Sequence, residues 1–193
     1  WRDGSQYSIL ENIDRLKTAI PIPVYLDSGK PWRRHCTSDW KVDVLAKWLK
    51  VNGATADNPA YTGMGISVDE FQRARTSNVE HQVLEYPLLD LNIRRRDCVE
   101  IVRDAGLPPA PRSACYYCPF HSTEHWRDLR EDHPDLFARA VALEETLSVR
   151  AEKHLGSGAR LWRRGKLANL DDQLRFVFDY DEPETCDSGS CFT

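Results

Sequence analysis

The chain has 193 residues, of which 41% are hydrophobic and 29% are charged. A chain of this length and apolar content can bury a real core, which excludes a disordered tail or a collagen-like fibre. No apolar run reaches the roughly 18 residues that a membrane span needs, so we expect a soluble, cytoplasmic protein. The net charge of -4 argues against a general nucleic-acid binder, whose affinity depends on neutralising phosphates. Because the chain begins at Trp1 without a methionine or a signal-peptide pattern, we expect a segment of a longer protein.

The N-terminal half predicts helices that alternate with short apolar pieces. Periodic apolar residues and turn residues predict a helix over 7–20, a strand over 21–26, a helix over 39–51, a loop over 54–67 and an extended piece over 85–91. This alternation is typical of an α/β protein.

The C-terminal half is predicted to be richer in helix. A helix over 96–105 is followed by a stiff proline-rich linker. Ser122 can cap a helix that runs to Glu131, and Pro134 suits the first position of a long helix that reaches Leu155. The fold class predicted from the pattern is therefore α/β with a helix-rich C-terminal half.

The cysteines give the strongest chemical signal. Cys115 and Cys118 form a C-x-x-C motif directly before Pro119, and two thiolates at this spacing can bind one metal centre. One alternative is a pair of small buried apolar residues. A thioredoxin-like redox pair is a weaker alternative, because no predicted strand leads directly into the motif.

A metal centre needs further ligands. Cys36 follows two arginines and precedes a predicted helix, a setting that favours a thiolate. Cys98 is the fourth candidate, although it also fits a buried cysteine on an apolar helix face. His35 and His121 are substitute ligands. Four thiolates suit zinc and an iron–sulfur cluster equally, so the residues alone leave this choice open.

Two further features suggest how a substrate would bind and react. Cys186 and Cys191 lie in the terminal segment, where a thiol could visit a site and act as a nucleophile, or could be an exposed thiol without a role. Arginine pairs and triplets at 33–34, 94–96 and 163–164 suit a phosphate or sulfate, although each also fits a solvated surface.

Four segments together resemble the phosphoadenylyl-sulfate (PAPS) reductase family of the adenine-nucleotide α-hydrolase superfamily. Residues 65–74, with sequence GISVDEFQRA, resemble the family's substrate loop, and 86–99 resemble the segment that opens a helix. Cys36 with Lys41, and the C-x-x-C at 115–118, resemble the two cysteine segments of the cluster-bearing members. The wording is closest to that of short bacterial and phage members.

The resemblance implies a [4Fe-4S] cluster, with zinc as the alternative, and a mostly parallel twisted sheet flanked by helices. It implies a reductase-like α/β core over 1–122 that lacks its first βα unit, the one with the phosphate loop. A helical region and an acidic, cysteine-containing tail would then occupy 123–193. Family members have a second cysteine where Thr37 stands here, so Cys98 would have to complete the cluster.

The resemblance also implies roles for individual residues. The cluster ligands would be Cys36, Cys98, Cys115 and Cys118, and the nucleophile Cys186 or Cys191. The expected residues for nucleotide or substrate binding are Arg34, Lys41, Gly65, Asp69, Glu70, Arg73, Arg163 and Arg164.

In the implied reaction, the nucleophilic thiolate attacks the sulfur of an adenylylated sulfate and releases the nucleotide. A thiol reductant protein then frees sulfite from the thiosulfonate. One alternative is an ATP-pyrophosphatase-type sulfur transferase, for which nucleic acid would be a substrate. The other is a non-catalytic four-cysteine zinc module.

Overall fold

The computed structural model of the chain describes residues 7–32, 35–110 and 114–170. Within them the fold mixes helices with two sheets of two strands each. The residues form two compact units, one built from both ends of the described chain and the other from its middle, 41–110. The segments that flank 41–110 share one core, and the boundary expected at residue 122 stays a prediction.

The elements are numbered in chain order over the described residues. The helices are α1 (Ile9–Arg15), α2 (Asp43–Val51), α3 (Pro87–Asp90), α4 (Arg95–Asp104), α5 (Thr123–Asp132) and α6 (Pro134–Leu155). The strands are β1 (Tyr25–Leu26), β2 (Ala60–Gly63), β3 (Gln82–Glu85) and β4 (Ala159–Arg160). A π-helical turn precedes α2, at Ser38–Val42, and short 3-10 turns lie at Val68–Arg73 and Leu167–Asn169.

The first unit is organised around the long helix α6. Helix α5 packs on α6, and β1 pairs antiparallel with β4, which follows α6. Trp126, Leu147 and Leu161 are fully buried in the resulting core. Pro134 at the first turn and Gly156 in the left-handed region (φ 65°) set the two ends of α6, because proline suits the start of a helix and glycine its end.

The second unit contains the parallel pair β2 and β3, in the register Tyr61 to Val83. Several of its apolar side chains remain exposed, among them Trp48 and Val51 on α2. Within the described residues of this unit, apolar side chains on one face of the sheet and along α2 are therefore exposed to solvent.

Two predicted segments differ from the structure in the first 30 residues. The helix expected over 7–20 ends at Arg15, and the strand expected over 21–26 is confined to Tyr25–Leu26. The Arg150 guanidinium donates to the carbonyls of Ile13, in the last turn of α1, and Ala19, beyond its end, at 3.0 and 2.9 Å. These carbonyls are thus satisfied from outside the helix.

Two further segments of the middle part were predicted wrongly, and others are confirmed. Pro87 opens the short helix α3 instead of an extended piece, as proline at a first helical position can. The expected loop 54–67 contains β2. Helices α4, α5 and α6 are confirmed to within a residue of their expected ends. None of the described helices is long and apolar enough to cross a membrane.

Candidate metal centre

The C-x-x-C motif forms a closed turn ahead of α5. The Cys118 amide donates to the Cys115 carbonyl at 2.9 Å, which closes a β-turn and brings the two cysteine Cα atoms to within about 7 Å. The next turn is closed by the His121 amide, which donates to the Cys118 carbonyl at 3.2 Å. Ser122 then caps α5 by accepting from the His125 amide. The two cysteines thus lie in consecutive turns directly before α5.

Tyr117 lies between the two cysteines of the motif, and both predicted cysteine segments influence its pKa. Its side chain is buried in the core of the first unit, and its ring meets the Tyr116 ring edge-on at 4.9 Å. Burial raises the pKa of Tyr117, and the charge of Cys115, a hydrogen bond with the Cys115 side chain and the charges of Tyr116 and Cys36 raise it further. Cys36, distant in the sequence, therefore lies near the same phenol as Cys115.

Cys118 influences the pKa of a different tyrosine, Tyr25. Burial raises the pKa of Tyr25, the Arg163 guanidinium acts to lower it, and the charge of Cys118 raises it. Tyr25 on β1 thus lies within electrostatic reach of both Cys118 and Arg163. Arg163 is exposed, so its charge also meets solvent.

The donor set of the first unit fits a thiophilic metal centre. Cys36 and Cys118 are half-buried and Cys115 is exposed. Soft thiolates suit zinc and iron–sulfur clusters. Across the described ranges, however, no group of three or more His, Cys, Asp or Glu side chains stands ready to hold a metal ion. Cys115 and Cys36 act on the pKa of Tyr117, and Cys118 acts on that of Tyr25, without a group of three ligands among the described residues.

Cys98, the expected fourth ligand, belongs to the second unit, where it lies half-buried on α4. Its amide donates to the Arg94 carbonyl. Its assignment as a ligand stays a prediction.

Three of the residues expected to bind the substrate form hydrogen bonds or an ion pair with other residues of the second unit. Arg73 is buried, and its guanidinium forms an ion pair with Glu70 at 2.8 Å. Asp69 accepts from the Arg95 amide at 2.7 Å, at the start of α4. Because Glu70 already balances the charge of Arg73, a bound anion would have to compete with this carboxylate or share the guanidinium with it.

The other expected substrate residues lie at the surface or outside the described chain. Lys41 and Gly65 are exposed, and a side chain added at Gly65 would meet nothing within 4 Å. Arg164 is half-buried. The remaining three, Arg34, Cys186 and Cys191, lie outside the described residues.

Sequence reasoning missed Tyr25 and Tyr117 as neighbours of the thiols. Tyr117 occupies a variable position of C-x-x-C, and no periodicity marks which of the two tyrosines turns into the core. His121 was singled out only as a substitute ligand. Its position three residues after the motif was the available signal.

Comparison with models of known families, with curated proteins and with solved structures finds no match for this chain.

Proposed function

We propose that the chain is a PAPS reductase-like iron–sulfur protein, in which Cys36, Cys115 and Cys118 contribute ligands to the cluster. The observation that carries the proposal is the closed C-x-x-C turn, which belongs to the same compact unit as Cys36. The two segments are far apart in the sequence, and the fold brings them into one unit.

The chemistry of the donors supports a thiophilic metal over a hard cation. A cluster bound here would supply redox or sulfur-handling chemistry. The chain's own residues would hold it by their thiolates, while the buried Tyr117 phenol would provide a hydrogen-bond donor to the Cys115 sulfur. The mostly parallel twisted sheet that the resemblance implies remains part of this proposal; of the two described sheets, β2 with β3 is parallel and β1 with β4 is antiparallel.

The substrate side of the proposal follows the sequence resemblance. The thiolate of Cys186 or Cys191 attacks the sulfur of a sulfonucleotide, the bond from that sulfur to the bridging phosphate oxygen breaks, and the adenine nucleotide leaves. A dithiol reductant protein then cleaves the thiosulfonate: one thiol attacks the tail sulfur, sulfite leaves, and the resulting disulfide is resolved by the second thiol.

The first test is metal content after anaerobic purification. We expect a brown protein with broad visible absorption and close to four iron and four sulfide per chain, as a [4Fe-4S] cluster requires. Ser substitutions of Cys36, Cys115 and Cys118, one at a time, should abolish retention of the cluster. The matched variant Cys98→Ser decides whether the second unit contributes a ligand.

Each contrary result has a definite meaning. A colourless protein with one zinc per chain overturns the iron–sulfur assignment and favours the zinc module. Unchanged iron in Cys36→Ser, Cys115→Ser or Cys118→Ser removes that residue from the ligand set.

The second test is catalytic. The holoprotein should release sulfite from PAPS or adenylyl sulfate with a dithiol reductant. Cys186→Ser and Cys191→Ser should keep the metal, and at least one of them should stop release. If the two single variants and the double variant all release sulfite at the wild-type rate, the tail nucleophile is wrong. Pyrophosphate release from ATP, with no sulfite from either sulfonucleotide, would support the sulfur-transferase alternative.

A further inference from the structure

His121 makes the most specific polar contact to the C-x-x-C turn in the first unit. Its ring Nε2 lies 2.8 Å from the carbonyl oxygen of Cys115. A carbonyl oxygen can only accept, so this nitrogen carries a proton and donates. The backbone amide of His121 donates to the Cys118 carbonyl, at 3.2 Å. One residue thus binds the carbonyls of both cysteines.

The ring of His121 is held in place on two further sides. It is only 9% exposed, its centroid lies 3.9 Å from the His125 ring, and it meets the Trp126 ring edge-on at 4.9 Å. Trp126 is fully buried on α5. The hydrogen bond from Nε2 therefore ties the loop that carries the thiols to the rigid face of α5.

We infer that His121 is a positioning residue of the metal centre, which fixes the C-x-x-C turn through the Cys115 carbonyl instead of binding the metal through Nε2. This role rests on the proposed function, because it assigns His121 a task only if the turn holds a metal. Residues that orient ligands without touching the metal typically change metal affinity by about 10- to 100-fold. His121 is therefore not the substitute ligand through that nitrogen that the sequence suggested.

The test compares His121→Ala, which removes the donor, with His121→Gln, whose side-chain amide can still donate to a carbonyl. His154→Ala, at the exposed end of α6, controls for the loss of a histidine elsewhere in the unit. Leu129→Ala, a buried residue of α5, controls for general destabilisation.

Two readouts separate positioning from stability. The first is the rate at which a chelator removes iron from the anaerobic holoprotein. It should rise about 10- to 100-fold in His121→Ala, recover largely in His121→Gln, and stay near wild type in His154→Ala. The second is amide hydrogen exchange at Cys118 in the metal-free protein, which should be faster in His121→Ala than in Leu129→Ala at matched stability.

The outcomes distinguish the inference from the proposed function. Wild-type protein that binds iron, with an unchanged removal rate in His121→Ala, overturns the role of His121 and leaves the metal centre standing. Unchanged exchange at Cys118 overturns it equally. A removal rate in Leu129→Ala that equals the rate in His121→Ala means that only stability was changed, and overturns it too. Wild-type protein that binds no metal overturns the proposed function, and the role of His121 with it.

Discussion

Glu144 offers the sharpest test of how the first unit is held together. It lies on α6 with 4% exposure, and its carboxylate accepts two backbone N–H groups: Leu161 to Oε2 at 2.7 Å and Leu167 to Oε1 at 2.8 Å. One buried side chain thus accepts hydrogen bonds from backbone N–H groups at both ends of the segment 161–167, which follows β4. Glu144→Gln keeps the size of the side chain but leaves one oxygen, so its NH₂ group must face one of the two N–H donors.

The magnitude follows from what the substitution removes and what it relieves. Hydrogen bonds to charged groups contribute about 1.5–3 kcal/mol, and a buried donor left unsatisfied costs about 1–3 kcal/mol. Against this, Gln removes a charge whose burial is unfavourable, since burial raises the pKa of Glu144 despite the opposing bonds from Leu161 and Leu167. We expect a net loss of about 1–3 kcal/mol in the free energy of unfolding at neutral pH.

The pH dependence has a definite sign. A carboxyl whose pKa is raised by folding binds more protons in the folded than in the unfolded state. The contribution of Glu144 to stability is therefore complete below about pH 4.5, its ordinary pKa, and falls as the pH rises through the raised value. The stability difference between wild type and Glu144→Gln should accordingly be larger at low pH than at neutral pH.

Urea denaturation at several pH values measures both effects, followed by tryptophan fluorescence, to which the buried Trp126 and Trp162 of the first unit contribute. Glu145→Gln is the matched control, because this neighbour on α6 is exposed. If Glu144→Gln is as stable as Glu145→Gln at neutral pH, the cost of burying the charge cancels its hydrogen bonds and the reasoning is refuted.

Two further substitutions test local contacts of the first unit. Gly158→Ala should lower the free energy of unfolding by about 1–3 kcal/mol, since the added Cβ would lie 2.8 Å from Oδ2 of Asp27, which accepts a hydrogen bond from the Gly158 amide. Gly65→Ala is the control, because Gly65 has open space around it. Equal melting temperatures of the two variants would contradict the prediction. Ser122→Ala should lower the stability of α5 by about 0.5–2 kcal/mol in denaturation, and Ser122→Asp should restore it, because both Ser and Asp cap helices; a loss that Asp does not restore would assign Ser122 another role.

Helices with strong local signals were predictable from the sequence. The hydroxyl of Ser122, the fixed φ of Pro134 and the conformational freedom of Gly156 act within one turn of the helix ends that they set. These effects need no information from the rest of the chain, which explains why α5 and α6 have nearly the expected bounds.

Other segments depend on partners that are distant in sequence. In the last turn of α1 the Ile13 carbonyl accepts from the distant Arg150, and β1 is limited to the two residues that pair with β4. Glu144 gives no signal in the sequence beyond a glutamate on a helix, since its task is set by Leu161 and Leu167 after the chain has turned back. Such contacts are decided by tertiary packing, which overrides local propensity.

In the candidate site, too, the features with a local signal were predictable from the sequence, and those that depend on tertiary contacts were not. The C-x-x-C motif was visible because its chemistry is local, and the neighbourhood of Cys36 was suggested by its basic setting. That Cys36 shares a unit with the motif depends on the core that joins the two ends of the described chain, and so does the burial of His121 beside Cys115. A thiol motif in sequence thus defines which atoms could bind a metal, whereas the buried residues around it decide how firmly the loop would hold one.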